Sequence, residues 1–479
     1  MKKILLFLSL ILCLSLLVAC GSSEKKEETK SETPVETPNE TTETETKEDD
    51  GIKSSEINFG FYNLVNYKGQ VLGGTESNGK SPAFDLVNDD KLMLEKLNTW
   101  TIEPNTSAKG DLVYNLYCTY DPHVLVEPEK LIPGKTIVTS GYEENNAFQQ
   151  WIITENEDGT FKLLSYRNPR FCLTTSEDGT PVLGLIEEAG PEANWTLTEK
   201  TAFDRFLTWY SEDRTVIFQL PKDIITSAKI TGERIQQFAE DTVLMYETYI
   251  DLTGFVTYDH IILKAYDTEE YIAYVMNGYM CVTADEDFIT ADLKRMAERS
   301  DKYNVRDINF MMLHEMGHMF DRNQKWSFEG EAMTDIKAPY ILYANPGYVA
   351  APSEFAPKEY FDSTNITTAY RKLGGTSMNG TKEDYSIYYC AAVFVDIIQK
   401  EIKNWDKVKE MYHWYSANIK DIDPVKWYKE THETDGKSVP EHVARLDLYI
   451  AKLTEYGGVD VRSLIKDSDY QSMVKKCGG

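Results

Sequence analysis

The sequence predicts a multidomain chain, an all-β body followed by a mixed α/β-to-α body that carries a metal site. Three observations lead there. Short alternating segments repeat three times between residues 55 and 199, two histidines stand four apart in an apolar helical stretch, and a glutamate pair follows them closely.

Ahead of both bodies, Lys2 and Lys3 precede an apolar run from Ile4 to Val18 that ends in Leu17-Val18-Ala19-Cys20. A charged start, a short apolar stretch and a small residue before a cysteine predict an export signal over residues 1–20. The stretch falls short of the roughly 20 apolar residues that a membrane span needs. It resembles the bacterial lipoprotein signal, which implies lipid on Cys20, a membrane anchor through that lipid, and a place on the extracellular face of the cell membrane. Residues 21–54 are almost only Glu, Thr, Lys, Ser, Pro, Asn and Asp, with no aromatic residue to bury. They predict a disordered acidic tether that self-repulsion keeps extended.

A formal net charge of −28 excludes nucleic acid as a partner, because phosphate binding needs a basic surface. Of seven cysteines, Cys13 belongs to the signal and Cys20 to the lipid site, which leaves Cys118, Cys172, Cys281, Cys390 and Cys477. An odd set without tight spacing is no disulfide framework, although one bridge is compatible with it.

In the first body, Phe61-Tyr62-Asn63-Leu64, Val113-Tyr114-Asn115-Leu116 and Phe161-Lys162-Leu163-Leu164 recur roughly 50 residues apart. Each is followed by a leucine (Leu72, Leu125, Leu173), and each unit ends on a tryptophan (Trp100, Trp151, Trp195) within an alternating strand. A repeated aromatic at strand spacing is first of all a core residue. The pattern resembles the ricin-type β-trefoil over 55–199, with the Gln-x-Trp signature complete at Gln149 and Trp151. Ricin-type sites carry an Asp just after each repeat's leucine, where this chain has Gly73, Val126 and Thr174. A carbohydrate ligand at the trefoil and a purely structural spacer both stay open.

The second body, 200–479, divides into an N-lobe of about 200–303 and a helical lobe of about 304–479. It carries His314-Glu315-Met316-Gly317-His318 inside a stretch from Ile308 to Asp321 that reads as a buried helix. Two histidines four apart share one helical face and can reach one zinc ion, and Glu315 projects beside them as a general base. A third ligand is needed. Metzincins place a Gly and a His where this chain has Asp321 and Gln324, and thermolysin-like sites place a Glu where it has Lys337 and Ala338. Nearer at hand are Glu329 and Glu331, and only Glu331 has an acid four residues later, Asp335. On a helix those two share a face, so Glu331 can ligate while Asp335 orients a ligand histidine. Glu329 remains the alternative ligand, and a plain surface charge the alternative for Asp335.

The HExGH helix, a Trp, then Gly-Glu with Thr334 three residues after the Glu, resembles the M60-like, enhancin-related zinc metallopeptidases of gluzincin type. That resemblance rests chiefly on residues 314–335. It implies a zincin-like fold for 200–479 and one Zn2+. It also implies a peptide or glycoprotein substrate, mucin-like and cleaved beside O-glycosylated residues. Residues 272–282 look like the edge strand before the active helix, and 388–416 and 444–465 like its C-terminal helices. Asp335 departs from the Asn usual in that family. Tyr388, Tyr389 or His413 could stabilise an oxyanion; His260, His432 and His442 lack partner spacing and read as structural. The segment 340–384 reads as a long irregular excursion that either walls a cleft or decorates the surface. A glycoprotein-binding adhesin with a vestigial zinc site, and a zinc enzyme acting on a non-peptide bond, are the rival readings.

Overall fold

The computed structural model describes residues 52–477 apart from 74–84, 88–98, 119–122, 144, 178, 201–205, 212–215, 228, 257–260, 265–273, 277–278, 282–294, 296–305, 322–324, 352–359, 375–386 and 433–437. The export signal, Cys20, the tether up to residue 51, and His260 lie outside them.

Among the described residues, twelve strands make the first body: β1 (Gly60–Asn66), β2 (Val71–Gly73), β3 (Asp85–Val87), β4 (Trp100–Thr106), β5 (Leu112–Cys118), β6 (His123–Val126), β7 (Val138–Gly141), β8 (Trp151–Glu155), β9 (Phe161–Ser165), β10 (Phe171–Thr175), β11 (Pro181–Leu185) and β12 (Trp195–Glu199). Antiparallel pairing runs β1 to β4, β4 to β5, β5 to β8, β8 to β9, β9 to β12 and back from β12 to β1. Six strands thus close on themselves and leave no edge. The remaining six pair as β2–β3, β6–β7 and β10–β11, one hairpin per repeat. A closed six-stranded barrel with three hairpins is the β-trefoil arrangement.

The tryptophans explain the repeat. Each is fully buried, and its indole N–H would be stranded without an acceptor. Trp100, Trp151 and Trp195 donate to the carbonyls of Leu72, Leu125 and Leu173 at 2.9, 3.1 and 3.1 Å, so each ties the end of its repeat to that repeat's own hairpin. Gln149 is structural as well, donating to the Gly141 carbonyl at 2.8 Å and accepting from the Glu143 N–H at 2.9 Å.

In the second body a five-stranded sheet has the order β13 (Phe206–Tyr210), β14 (Val216–Pro221), β15 (Ile261–Lys264), β17 (Tyr279–Cys281), β16 (Tyr274–Met276). The parallel pair β14–β15 requires a crossover, which the Gly232–Thr253 helix supplies. Thr231 caps its start and Gly254, at φ 63°, ends it. Phe59, Phe61, Tyr117 and Val124 from the first body share one buried cluster with Val216, Phe218 and the helices that follow. Cys172 is a buried free thiol, and Cys390 is buried as well. Among the described residues no helix is long and apolar enough to cross a membrane.

Two expectations need correction. Arg306–Asn309 forms a strand, β18, paired in parallel with β19 (Tyr348–Ala351), so the metal-bearing helix starts at Phe310 rather than Ile308. Residues 340–384 are not one irregular excursion. The Gly330–Ala344 helix runs into them, and β19 and the Ile366–Gly374 helix follow. Pro339 hid the first of these, since proline removes an N–H and usually ends a helix. Here the carbonyl it leaves free, that of Asp335, accepts a 3.0 Å hydrogen bond from the Tyr370 hydroxyl.

Candidate metal centre

The Phe310–Met319 helix begins where Asn309 turns the chain out of β18. The Asn309 side-chain oxygen accepts from the N–H groups of Met311 and Met312 at 2.7 and 3.3 Å, satisfying two donors that a helix start leaves open. Phe310, Leu313 and Met316 anchor the helix in the core. One turn of helix separates His314 from His318, so both rings leave the same face.

The Gly330–Ala344 helix delivers the third group. Its start is capped by Glu329, whose carboxylate accepts from the Ala332 N–H at 2.6 Å. The Glu329 carboxylate is thus engaged in the cap and is not part of the converging group, and burial pushes its pKa up to about 7. Glu331, two residues on, faces the histidines instead. His314 Nε2 lies 3.0 Å and His318 Nε2 3.5 Å from Glu331 Oε2, and the two imidazole nitrogens are 3.2 Å apart. Among the described residues this is the one group of three or more His, Cys, Asp or Glu side chains that converges closely enough to hold a metal ion.

The geometry and chemistry of these donors fit zinc. Two nitrogens about 2.05 Å from a tetrahedral centre lie about 3.3 Å apart, close to the separation found, and two His with one Glu is a catalytic zinc set. Asp335 completes the arrangement. It is fully buried, and its Oδ1 lies 2.9 Å from His314 Nδ1. In a neutral ring, an Nδ1–H donated to Asp335 would leave the Nε2 lone pair directed at the cluster. Asp335 is therefore no exposed helix charge.

Charge is concentrated here. Burial opposes protonation of His314 and His318, but Asp335 and Glu331 around the first, and Glu331 beside the second, outweigh it and raise both values. Burial works against the Glu331 carboxylate, yet the two histidines hold it well below the usual range. Glu315, next to both and only 7% exposed, is raised chiefly by burial, which primes a carboxylate to accept a proton.

Two contacts set how closely the helices approach. Thr334 Oγ1 donates to the His314 carbonyl at 2.8 Å, and Tyr249 donates to that of Leu313 at 2.7 Å. Neither residue's role was legible as a motif, although Thr334 stands in the Glu-x-x-Thr spacing.

Of the three oxyanion candidates, Tyr388 is the one beside the cluster. Its ring packs 6.3 Å from Phe310 and 5.8 Å from Tyr370, and burial together with Asp335, Glu331 and Glu315 raises its pKa. Tyr389 donates instead to Asp469 at 3.3 Å, and His413 Nε2 meets the Asp251 carbonyl at 2.8 Å. His432 stacks on Tyr428, and His442 lies beside Arg445 and Glu441; neither joins the cluster. In the trefoil, Thr174 is buried with its methyl against Gly184, where an added Cβ would stand 2.6 Å away.

No protein-family model and no curated protein matches the chain. Similar solved structures include a designed threefold-symmetric protein, ThreeFoil, at 19% identity and a TM-score of 0.26, covering 29% of this chain and 99% of its own. A Polyporus squamosus lectin bound to a human-type influenza-binding epitope is 15% identical, with a TM-score of 0.28, covering 42% and 69%. The Rhizoctonia solani agglutinin is 18% identical, with a TM-score of 0.25, covering 30% and 99%. The M60-like resemblance therefore rests on residues 314–335 themselves.

Proposed function

We propose that this protein is a zinc-dependent peptide hydrolase of the gluzincin type. The supporting observation is the convergence of His314, His318 and Glu331, with Glu315 beside them and Asp335 behind His314. The three ligands would hold one Zn2+. When bound, zinc supplies Lewis acidity that makes a neighbouring water acidic near neutral pH and polarises a peptide carbonyl. Glu315 would take a proton from a water held at the site as the water oxygen bonds to the carbonyl carbon, and would return it to the amine as the C–N bond breaks. Tyr388 donates to the developing oxyanion. An extended substrate pairs with β16, which ends its sheet among the described residues and packs near the metal-bearing helix.

The substrate class follows from the M60-like resemblance: peptide bonds in O-glycosylated, mucin-like proteins, met by an enzyme tethered to the outer cell surface through lipid on Cys20. A carbohydrate contact at the trefoil belongs to this reading, away from the buried Thr174 position.

The test is incubation with an O-glycosylated mucin and with its deglycosylated form, alongside Glu315→Ala and a chelated sample. Cleavage of the glycosylated form alone, lost in both controls, supports the reading. Cleavage of neither form by protein holding one equivalent of zinc would point to the rival role, a glycoprotein-binding adhesin.

A further inference from the structure

Helix geometry fixes the distance between His314 and His318, but it does not fix Glu331, which arrives on another helix. His314 is the hub of one set of contacts, receiving both Thr334 at its carbonyl and Asp335 at its ring. Hydrogen bonds that meet at one residue fix the angle between two packed helices less firmly than a second bonded point farther along. Further along, Lys337 Nζ donates to Asp321 Oδ2 at 2.5 Å and to the Met333 carbonyl at 3.1 Å. The lysine side chain is 0% exposed and the aspartate 5%. Asp321 lies three residues past His318, and its N–H bonds to the His318 carbonyl at 3.1 Å, so it sits in the turn that directly follows the metal-bearing helix. Its other oxygen accepts from Trp326 Nε1 at 3.1 Å, which pins the connection between the helices. Trp326 is itself fully buried, its ring 5.5 Å from those of Tyr412 and Tyr415.

A buried ion pair is a poor source of stability, since desolvation offsets most of its attraction. Its directionality is what an apolar pair lacks. We infer that the buried Asp321–Lys337 pair, with Trp326, positions Glu331 against the two histidines by supplying the second fixed point between their helices. The inference rests on the zinc reading of the cluster. These are positioning residues, because none of them touches the ligand atoms. Metal sites tolerate misplacement of about 0.5 Å, and loss of an outer support typically weakens metal binding roughly 10- to 100-fold.

The experiment compares the wild type with Asp321→Asn/Lys337→Met, which removes both charges at similar volume and keeps an acceptor for Trp326. Zinc affinity is read by competition with a chromophoric chelator, the visible spectrum of the cobalt-substituted protein reports ligand geometry, and melting of the metal-free protein reports the fold. The expected result is a metal-free melting temperature within a few degrees of the wild type, zinc affinity lowered at least tenfold and an altered cobalt spectrum. A folded double variant with unchanged zinc affinity and spectrum would overturn the inference. Should the double variant not fold, Trp326→Phe decides: weakened zinc binding supports positioning and unchanged binding overturns it. Wild-type protein that takes up no zinc would instead sink the metal reading, and the inference with it.

Discussion

Thr334 Oγ1 donates to the His314 carbonyl over the position of Gly317, the residue of the metal-bearing helix that has no side chain. A Cβ on Gly317 would stand 2.1 Å from that hydroxyl oxygen and 3.1 Å from Thr334 Cβ. The HExGH motif thus needs its glycine for interhelical approach. Gly317→Ala is expected to destabilise the metal-free protein by about 1–3 kcal/mol, the usual cost of overpacking, and to weaken zinc binding. Adding Thr334→Ala removes the hydroxyl oxygen at 2.1 Å and leaves the Cβ at 3.1 Å, so thermal melting of the double variant should show partial recovery. A double variant less stable than Gly317→Ala by the full Thr334→Ala effect would contradict the proposed clash.

Glu329 and Glu331 differ by two positions and by function. Glu331→Ala should abolish stoichiometric zinc uptake while leaving the fold intact, because Glu331 Oε2 is the carboxylate oxygen that faces the Nε2 atoms of both histidines, at 3.0 and 3.5 Å. Glu329→Ala should retain one equivalent of zinc and lose about 1 kcal/mol of stability through the cap to Ala332. Metal content after dialysis separates the two, and zinc loss in both variants would leave the cap assignment insufficient.

Much of this site was legible because its information is local. His314 to His318, and Glu331 to Asp335, are four-residue spacings that a helix turns into shared faces. The tryptophan repeat was legible for the same reason, each strand presenting its own alternation. What stayed hidden depends on distant partners. Lys337 was set aside as a residue unable to ligate, and only the fold reveals its charge buried against Asp321. The helix that runs through Pro339 stayed hidden because the missing N–H is local, while the hydroxyl that compensates it comes from Tyr370 on another helix.

That compensation can be measured. Tyr370→Phe leaves the buried Asp335 carbonyl without its donor, which should cost about 1–3 kcal/mol. Pro339→Ala restores a backbone N–H four residues beyond that carbonyl, so Tyr370→Phe should cost less in its presence. A double-mutant cycle by chemical denaturation reads the coupling, and strict additivity would mean that the two donors do not replace one another.

Tyr388 sits among acidic groups that the catalytic reading requires, and its phenol is held protonated by burial and their charge. A protonated phenol can donate to an oxyanion that exists only as the peptide carbonyl is attacked. Tyr388→Phe should therefore lower kcat by roughly 10²- to 10³-fold with little change in KM or zinc content. Tyr389→Phe, at a residue bonded to Asp469, should leave turnover near the wild type. Equal losses in both variants would place the effect in packing rather than in catalysis.

The trefoil offers a pH-dependent test independent of the metal. The Glu127 side chain is 1% exposed, with Arg167 Nη1 3.5 Å from its Oε1. Burial dominates over Ser165 and Arg167 and pushes its pKa up to about 7 from the ordinary 4.5. Below the lower value both folded and unfolded chains carry the proton, so this residue contributes no pH dependence. Between the two values the unfolded chain ionises while the folded one stays neutral, so stability falls as pH rises, levelling off above about 7. At 1.36 kcal/mol per unit, the loss by pH 8 is about 3 kcal/mol. Glu127→Gln cannot ionise and should gain on the wild type progressively from pH 5 to pH 8. Melting temperatures across that range read the difference; a constant gap between the two proteins would mean that Glu127 keeps an ordinary pKa in the fold.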